Sequence, residues 1–276
     1  MTAADPSGHR MVFICGLHRS GTSLLHRCIG GHPATSAFAN TGVDEDEGQH
    51  LQNVYPVDGQ HGGPGRFGFQ PSARLTEASD LVDDDKRARL FDQWSRYWDL
   101  SKSHLVEKSP PNLIRMRFLQ AMFPGAQFIV LLRHPIAVSY ATGKWSNTRF
   151  HNLIHHWLVC HKIMLEDLPH LQQALLLRYE DFVREPECSL ARIWSFLDLP
   201  PHHPNEEVQT AVNDHYYAQY ESLQKLNSVR WLYYRLTRLR YEAACVPFGY
   251  TLKPSDYVSS SIPIANERPN TPSSKP

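Results

Sequence analysis

The sequence predicts an open α/β domain, and two junctions between a strand and a helix carry that prediction. The first is the apolar run Met11-Val-Phe-Ile-Cys15, partly β-branched, which is followed by a glycine loop and a helical pattern. The second is Gln127-Phe-Ile-Val-Leu-Leu132, the clearest central strand in the chain, which Arg133-His-Pro135 turns into another helix. Helical and strand patterns alternate after it, as they do in α/β folds, and in such folds ligands sit beyond the carboxyl ends of the strands.

The elements follow in order. Residues 1–10 read as a flexible lead-in, 11–253 as one domain, and 254–276, rich in Ser, Pro and Asn, as a disordered tail. Leu24, Leu25, Cys28 and Ile29 recur at helical spacing over Thr22 to Ile29, and Gly30-Gly-His-Pro33 ends that helix. Residues 41–73 hold much Gly, Pro, Asp and Glu and predict a long loop without regular elements. A helix from Asp83 to about Lys102 has an acidic start and carries Leu90, Phe91, Trp94, Tyr97 and Trp98; a short strand over His104 to Val106 comes next. Pro111 opens a helix that Phe123-Pro-Gly125 stops. Further helices are expected over Ile136 to Trp145, Leu153 to Leu165 and Pro186 to Leu197, with a strand at Ala174 to Arg178. The stretch Glu206 to Tyr241 reads as helical, with many aromatics and arginines.

Composition narrows the function. With 276 residues, 41% of them hydrophobic, the chain can bury one sizeable core. Lys plus Arg and Asp plus Glu both total 28, so the surface as a whole is not a nonspecific binder of nucleic acid or membrane, and any anion site is local. Cys15, Cys28, Cys160, Cys188 and Cys245 are scattered, with no CxxC pair, and read as reduced, mostly buried thiols. No apolar run approaches the roughly 18 residues of a spanning helix, so a soluble, cytoplasmic protein is expected. The 16 histidines, including the adjacent pairs His155-His156 and His202-His203, lack metal-ligand spacing; most read as surface or loop residues, and no metal is expected.

The chemistry concentrates in Gly16-Leu-His18-Arg19-Ser20-Gly21-Thr22-Ser23. Two glycines separated by four residues and followed by Thr and Ser nearly match the nucleoside-triphosphate loop, whose backbone N–H groups and following helix N-terminus bind phosphate. The usual lysine is absent: Thr22 stands in its place and Arg19 brings the cation inside the loop. A sulfate carried on a phosphate develops charge at the bridging oxygen as the S–O bond breaks, and a cation with hydroxyls aimed there lowers the barrier. An ordinary turn between strand and helix is the competing account of the loop alone, so context decides.

With these residues the chain resembles the sulfotransferase family that uses 3'-phosphoadenosine 5'-phosphosulfate (PAPS), in the branch that includes tyrosylprotein sulfotransferases and many bacterial enzymes. The resemblance runs from about residue 11 to 200. It implies a three-layer P-loop-type domain with a central parallel sheet flanked by helices. His18, Arg19, Ser20, Gly21, Thr22 and Ser23 would hold the 5'-phosphosulfate, with no metal required. A second family mark, Phe128-Ile-Val-Leu-Leu-Arg133-His-Pro135, gives Arg133 the 3'-phosphate, a dianion that a guanidinium fork matches. The family's serine eight residues further on is Ala141 here, which leaves Ser139, by its local string, or Thr142. Tyr179, in Leu177-Arg-Tyr-Glu-Asp-Phe182, would lie near the nucleotide, and a simple packing role competes with that. Lys108 resembles a lysine that neutralises the sulfuryl group and leaving oxygen. The branch takes its base from a glutamate after the loop helix, which points to Glu47 first and Glu45 second; His50 is a further candidate.

Two other functions compete. A P-loop nucleotide kinase would want Lys at position 22 and a metal-binding Asp ending an apolar strand, yet the best strand ends in Arg133. A nonenzymatic binding module could use the segment Arg230 to Tyr241 as its surface, which leaves the three motifs ahead of it unexplained. The acceptor is left open between a small molecule, a glycan and a peptide. Residues 49–73 and the region after Glu206 are expected to shape its pocket, and no nucleic-acid partner is expected.

Overall fold

The protein is described here from a computed structural model that covers residues 8–209, 212–224 and 229–253. Strand β1 (Arg10–Cys15) leads through the glycine loop into helix α1 (Thr22–Gly30), and β2 (Thr35–Ala37) follows closely. Residues 41–73 then form a succession of 3-10 turns before α2 (Asp84–Ser95), β3 (His104–Lys108), α3 (Met116–Met122) and β4 (Gln127–Leu132). The rest comprises α4 (Pro135–Gly143), α5 (Phe150–Asp167), β5 (Ala174–Arg178), α6 (Tyr179–Arg184), α7 (Pro186–Leu197), α8 (Asp214–Gln224) and α9 (Val229–Cys245).

The five strands form one sheet in the order β2-β3-β1-β4-β5, and every pairing is parallel. Side chains alternate across it as strand geometry requires. Phe13, Cys15, Phe128, Val130 and Leu132 face one layer, where Phe91, Trp94, Phe118 and Trp157 of α2, α3 and α5 pack. Val12, Ile14, Ile129, Leu131, Leu175 and Leu177 face the other, against Leu25, Cys28 and Ile29 of α1 and Phe182, Ile193 and Trp194 of α6 and α7. The expected three layers are therefore present. Because the strands run the same way, the glycine loop, Lys108, Arg133 and Tyr179 all emerge at one rim of the sheet.

Several elements differ from the sequence expectation. Strand β2 is Thr-Ser-Ala, too short and polar to signal itself, and it forms because it pairs with His104, Leu105 and Val106. β3 runs two residues further than its apolar stretch, since Glu107 and Lys108 keep register with Phe13 and Ile14 of β1. α2 stops at Ser95, short of Lys102. The helix expected from Pro111 begins as a 3-10 segment (Pro110–Ile114), and α3 starts only at Met116. Arg115 between them is buried, its Nε donating to the Ala73 carbonyl and its Nη1 to that of Pro56. Tyr179 opens the short helix α6, and the helical stretch after Glu206 starts only at Asp214. Residues 1–7 of the lead-in and the tail 254–276 lie outside the described residues.

Most histidines lie at the surface or in loops as expected, and the structure adds a buried minority. His26, His32, His61, His104, His134, His156 and His161 are buried, because the interior offers each ring a polar partner, a stacked aromatic or a close-packed slot. Burial pushes His26 and His156 down to about 3 and His161 to about 4, so all three are neutral. Cys15, Cys28, Cys160 and Cys245 are buried free thiols, while Cys188 is exposed.

Trp94 joins the layers to the long loop. Its ring is fully buried and packs beside Phe13, Phe38, Trp98 and Phe123, and its Nε1 donates to the Gly48 carbonyl at 2.9 Å. In urea melts, Trp94→Ala is expected to remove about 3–5 kcal/mol of stability. Trp94→Phe keeps most of the packing and should cost only about 1 kcal/mol for the lost hydrogen bond.

Candidate functional site

The rim of the sheet opens into a cleft of about 820 Å³, within the ordinary range for small-ligand sites. Its lining includes His18, Arg19, Gly21, Thr22 and Ser23 of the glycine loop, Glu45, Glu47, His50 and Asp58 of the long loop, and Arg133.

Close packing builds the glycine loop. A Cβ on Gly16 would come within 2.8 Å of the Leu131 carbonyl and 2.7 Å of Ser20 Oγ, so β1 can leave the sheet here only without a side chain. Ser20 closes the turn, its N–H and hydroxyl both donating to the Leu17 carbonyl at 3.0 and 2.6 Å. Gly21 has φ 96° and serves as N-cap of α1 with no side-chain cap and no acidic residue in the first turn. The orphan N–H groups of that turn thus face the cleft with their positive end available to an anion.

Positive φ values cluster around the cleft. Arg19 (64°), Glu45 (53°) and Asp46 (50°) are left-handed without being glycine, a costly conformation that persists where surrounding contacts hold it. Lys108 supplies one such contact, its Nζ donating to the Glu45 carbonyl at 2.8 Å. The Glu45 carboxylate bends back onto the loop: Ser23 Oγ donates to it at 2.8 Å and Arg19 Nη1 lies at 3.9 Å. Glu45 thus sits against the phosphate-loop donors.

Glu47 has different neighbours. It is buried on the cleft wall, with Lys108 Nζ 3.3 Å from its Oε1, Gln49 Nε2 donating to its Oε2 at 2.7 Å and His50 Nε2 at 3.8 Å. Gln49, fully buried, also accepts the Asp58 N–H through Oε1 at 2.9 Å, and its own N–H donates to Ser109 Oγ. Ser109 in turn donates to Glu107 Oε1 at 2.5 Å, and Asn112 Nδ2 donates to Oε2. Burial pushes the Glu107 carboxyl up to about 7, although both hydrogen bonds pull it down. His18 Nε2 lies 3.1 Å from Asp58 Oδ2; burial works to raise that carboxyl, and the hydrogen bond and charge of His18 outweigh it and leave it below the usual range.

Arg133 closes the other side. Its Nη1 donates to the Arg19 carbonyl at 2.8 Å, and its Nε and Nη2 both donate to Asn213 Oδ1. Three of its five N–H donors are so engaged, leaving two for a ligand. Beneath it the Tyr179 ring lies 4.1 Å from the guanidinium carbon and presses on Gly21, where a Cβ would approach it to 2.4 Å. Asn213 Nδ2 donates to Glu180 Oε1, which also accepts the His134 N–H, while Tyr250 donates to Oε2.

Of the residues singled out in sequence, the structure brings His18, Arg19, Gly21, Thr22, Ser23, Glu45, Glu47, His50 and Arg133 to one cleft. Ser20, Lys108 and Tyr179 lie directly behind its wall. Ser139 is not brought there. On α4 it shares with Thr142, His18 and His156 a separate small cavity of about 10 Å³, and the Ser139 and Thr142 hydroxyls have no protein partner. Gln49, Asp58, Glu107, Glu180 and Asn213 were missed, and only the polarity of Gln49 and Asp58 within a long loop could have drawn attention to them. Among the described residues, no cluster of three or more His, Cys, Asp or Glu could hold a metal, and no helix is long and apolar enough to cross a membrane.

Residues 11–204 match the model of a family described as the sulfotransferase family. Among solved structures, the sulfotransferase domain of the Synechococcus PCC 7002 olefin synthase is similar in fold, with a TM-score of 0.54 and 17% identity over 92% of this chain and 100% of that one. A sulfotransferase from Alicyclobacillus acidocaldarius gives a TM-score of 0.46 and 17% identity over 85% of this chain and 95% of that one. A mouse sulfotransferase complexed with PAP gives 0.39 and 12% over 79% and 68%. No curated protein matches the chain.

The raised Glu107 carboxyl predicts a pH dependence. Between its ordinary 4.5 and about 7, the folded chain keeps a proton that the unfolded chain releases, so this group's contribution to stability falls as pH rises through that window. Relative to Glu107→Gln, the wild-type unfolding free energy is expected to drop by up to about 3 kcal/mol across the window in denaturant melts. A difference that stays flat with pH would show that Glu107 is already ionised at its low end.

Proposed function

The chain belongs to the sulfotransferase family, whose reaction is sulfuryl transfer, and from that premise we propose that its donor is PAPS and its acceptor a hydroxyl or amine. The observation that carries this reading is the convergence on one cleft of an uncapped helix N-terminus, Arg19, the Lys108–Glu47 pair and a stacked arginine with free donors.

The donor set fits the group. The close approaches of Gly16 to the Leu131 carbonyl and of Gly21 to the Tyr179 ring hold the loop tight, and backbone N–H groups with Thr22 and Ser23 suit a phosphosulfate without a bridging metal. When bound, PAPS supplies an electrophilic sulfur on a 5'-phosphate leaving group. His18 to Ser23 hold that end, and Arg19 and Lys108 offset the charge that develops there. Arg133 takes the 3'-phosphate through its two remaining donors, with Tyr179 holding the guanidinium plane.

Glu47 is the general base. It lines the cleft, its carboxylate is oriented by Gln49 and Lys108, and a proton taken from the acceptor at Glu47 weakens its hold on Lys108 as that cation is needed. Glu45 is less suited, because its carboxylate is engaged with Ser23 and Arg19 on the donor side. The acceptor is a small molecule, a glycan or a peptide, entering past the long loop.

Two experiments test this reading. Glu47→Gln is expected to lose sulfuryl transfer by roughly 10²-fold or more while 3'-phosphoadenosine 5'-phosphate still raises the melting temperature; retained turnover would pass the base role to Glu45 or His50. Arg133→Ala should weaken 3'-phosphoadenosine 5'-phosphate by roughly tenfold or more in calorimetry, and adenosine 5'-phosphosulfate far less. Equal losses for both nucleotides would remove the 3'-phosphate from Arg133. A chain stabilised by ATP with magnesium and not by the bisphosphate would favour a kinase.

A further inference from the structure

Helix α9 takes no part in the cleft. Its inner face buries Tyr234, Thr237, Tyr241 and Cys245 as it packs on α5 and α8. On the opposite face Val229 (88% exposed), Leu232 (47%), Leu236 (55%) and Leu239 (65%) stand in water, and Val246 (58%) follows just past the helix end. The other large exposed apolar side chains among the described residues, Phe69, Tyr97, Leu100, Trp145 and Leu165, are scattered over separate segments. The spacing of three and four residues makes a continuous apolar stripe rather than isolated exposures.

Arginines border the stripe. At about 100° per residue, Arg235 and Arg240 fall on its two sides, with Arg230 and Arg238 further round the helix. The Arg235 guanidinium lies 4.9 Å from the Trp231 ring and that of Arg240 5.5 Å from the Tyr241 ring, which keeps both near the helix surface. The helix carries one carboxylate, Glu242, bonded to the Thr251 hydroxyl and the Leu252 N–H, against four arginines, so its charge stays positive. In a chain with no net charge, this is a local cationic surface with an apolar centre.

We propose that the outer face of α9 docks the protein on an anionic lipid bilayer, the leucines entering the acyl boundary and the arginines meeting lipid phosphates. A second copy of the chain would suit the leucines but not their borders. Antiparallel pairing that sets Leu236 against Leu239 brings Arg235 opposite Arg240, cation against cation. An anionic surface satisfies both parts of the face at once. This inference goes beyond the sulfuryl-transfer reading and stands or falls separately from it.

The test is co-sedimentation of the full-length chain with phosphatidylcholine vesicles, with and without a phosphatidylserine fraction. Binding is expected to need the anionic lipid and to weaken with salt. Leu236→Asp with Leu239→Asp, and separately Arg235→Gln with Arg240→Gln, should each lose roughly tenfold or more in vesicle affinity, with unchanged thermal unfolding. The arginine pair guards against a leucine variant that fails to fold. No binding, or equal binding to neutral vesicles, overturns the proposal. So does a dimer in sedimentation equilibrium that the leucine changes dissociate, which would assign the stripe to a second copy.

Discussion

The rest of the site depends on how the Arg133 guanidinium is held. It touches the Arg19 carbonyl, the Asn213 amide and the face of Tyr179, and through Asn213 it reaches the half-buried Glu180, the His134 backbone and the Tyr250 hydroxyl. These groups come from the loop after β1, the start of α4, the start of α6, the approach to α8 and the chain beyond α9. A cation in this position would be expensive if its partners were incomplete, because a buried charge without hydrogen bonds costs several kcal/mol. The network therefore also fixes where the rim elements sit.

A second constraint is the buried pair of Lys108 and Glu47. Lys108 is placed on the last residue of an interior strand, where an ammonium would be intolerable without a carboxylate and a carbonyl at hand. The long loop supplies both from Glu45 and Glu47, which explains why left-handed backbone is tolerated at Glu45 and Asp46. The charges of the cleft are thus sorted by distance from the sheet: cations at strand ends and in the glycine loop, carboxylates arriving from the loop opposite. Zero net charge for the whole chain conceals this separation.

What could be read from sequence follows from which physical signals are local. β1, β4 and β5 are runs of buried apolar residues, and the glycine loop is a spacing, so both were legible together with Arg19, Arg133 and Lys108 as candidate cations. β2 and α6 were not, because Thr-Ser-Ala and Tyr-Glu-Asp-Phe gain their conformation from neighbours. The partnership of Arg133 with Asn213 spans 80 positions and has no local trace. The buried minority of histidines left no sequence signal for the same reason: a backbone carbonyl such as that of Leu197, which meets His104 Nε2, is invisible in composition. Ser139 lies on α4 beside a small cavity that His18 also lines, a placement its local string could not reveal.

The long loop between β2 and α2 is fastened at separate points. Gly48 hangs from the Trp94 indole, Gln49 from Ser109, the Pro56 and Ala73 carbonyls from Arg115, and the Gly68 N–H from His156. Each fastening draws on a core side chain that belongs to another element. Between these points the loop carries Glu45, Glu47 and Asp58, so its path also decides which carboxylates meet the glycine loop and Lys108. A change of length in one span would therefore shift a carboxylate of the cleft while the neighbouring fastenings keep the rest of the loop in place, as one panel moves in a frame whose bolts hold.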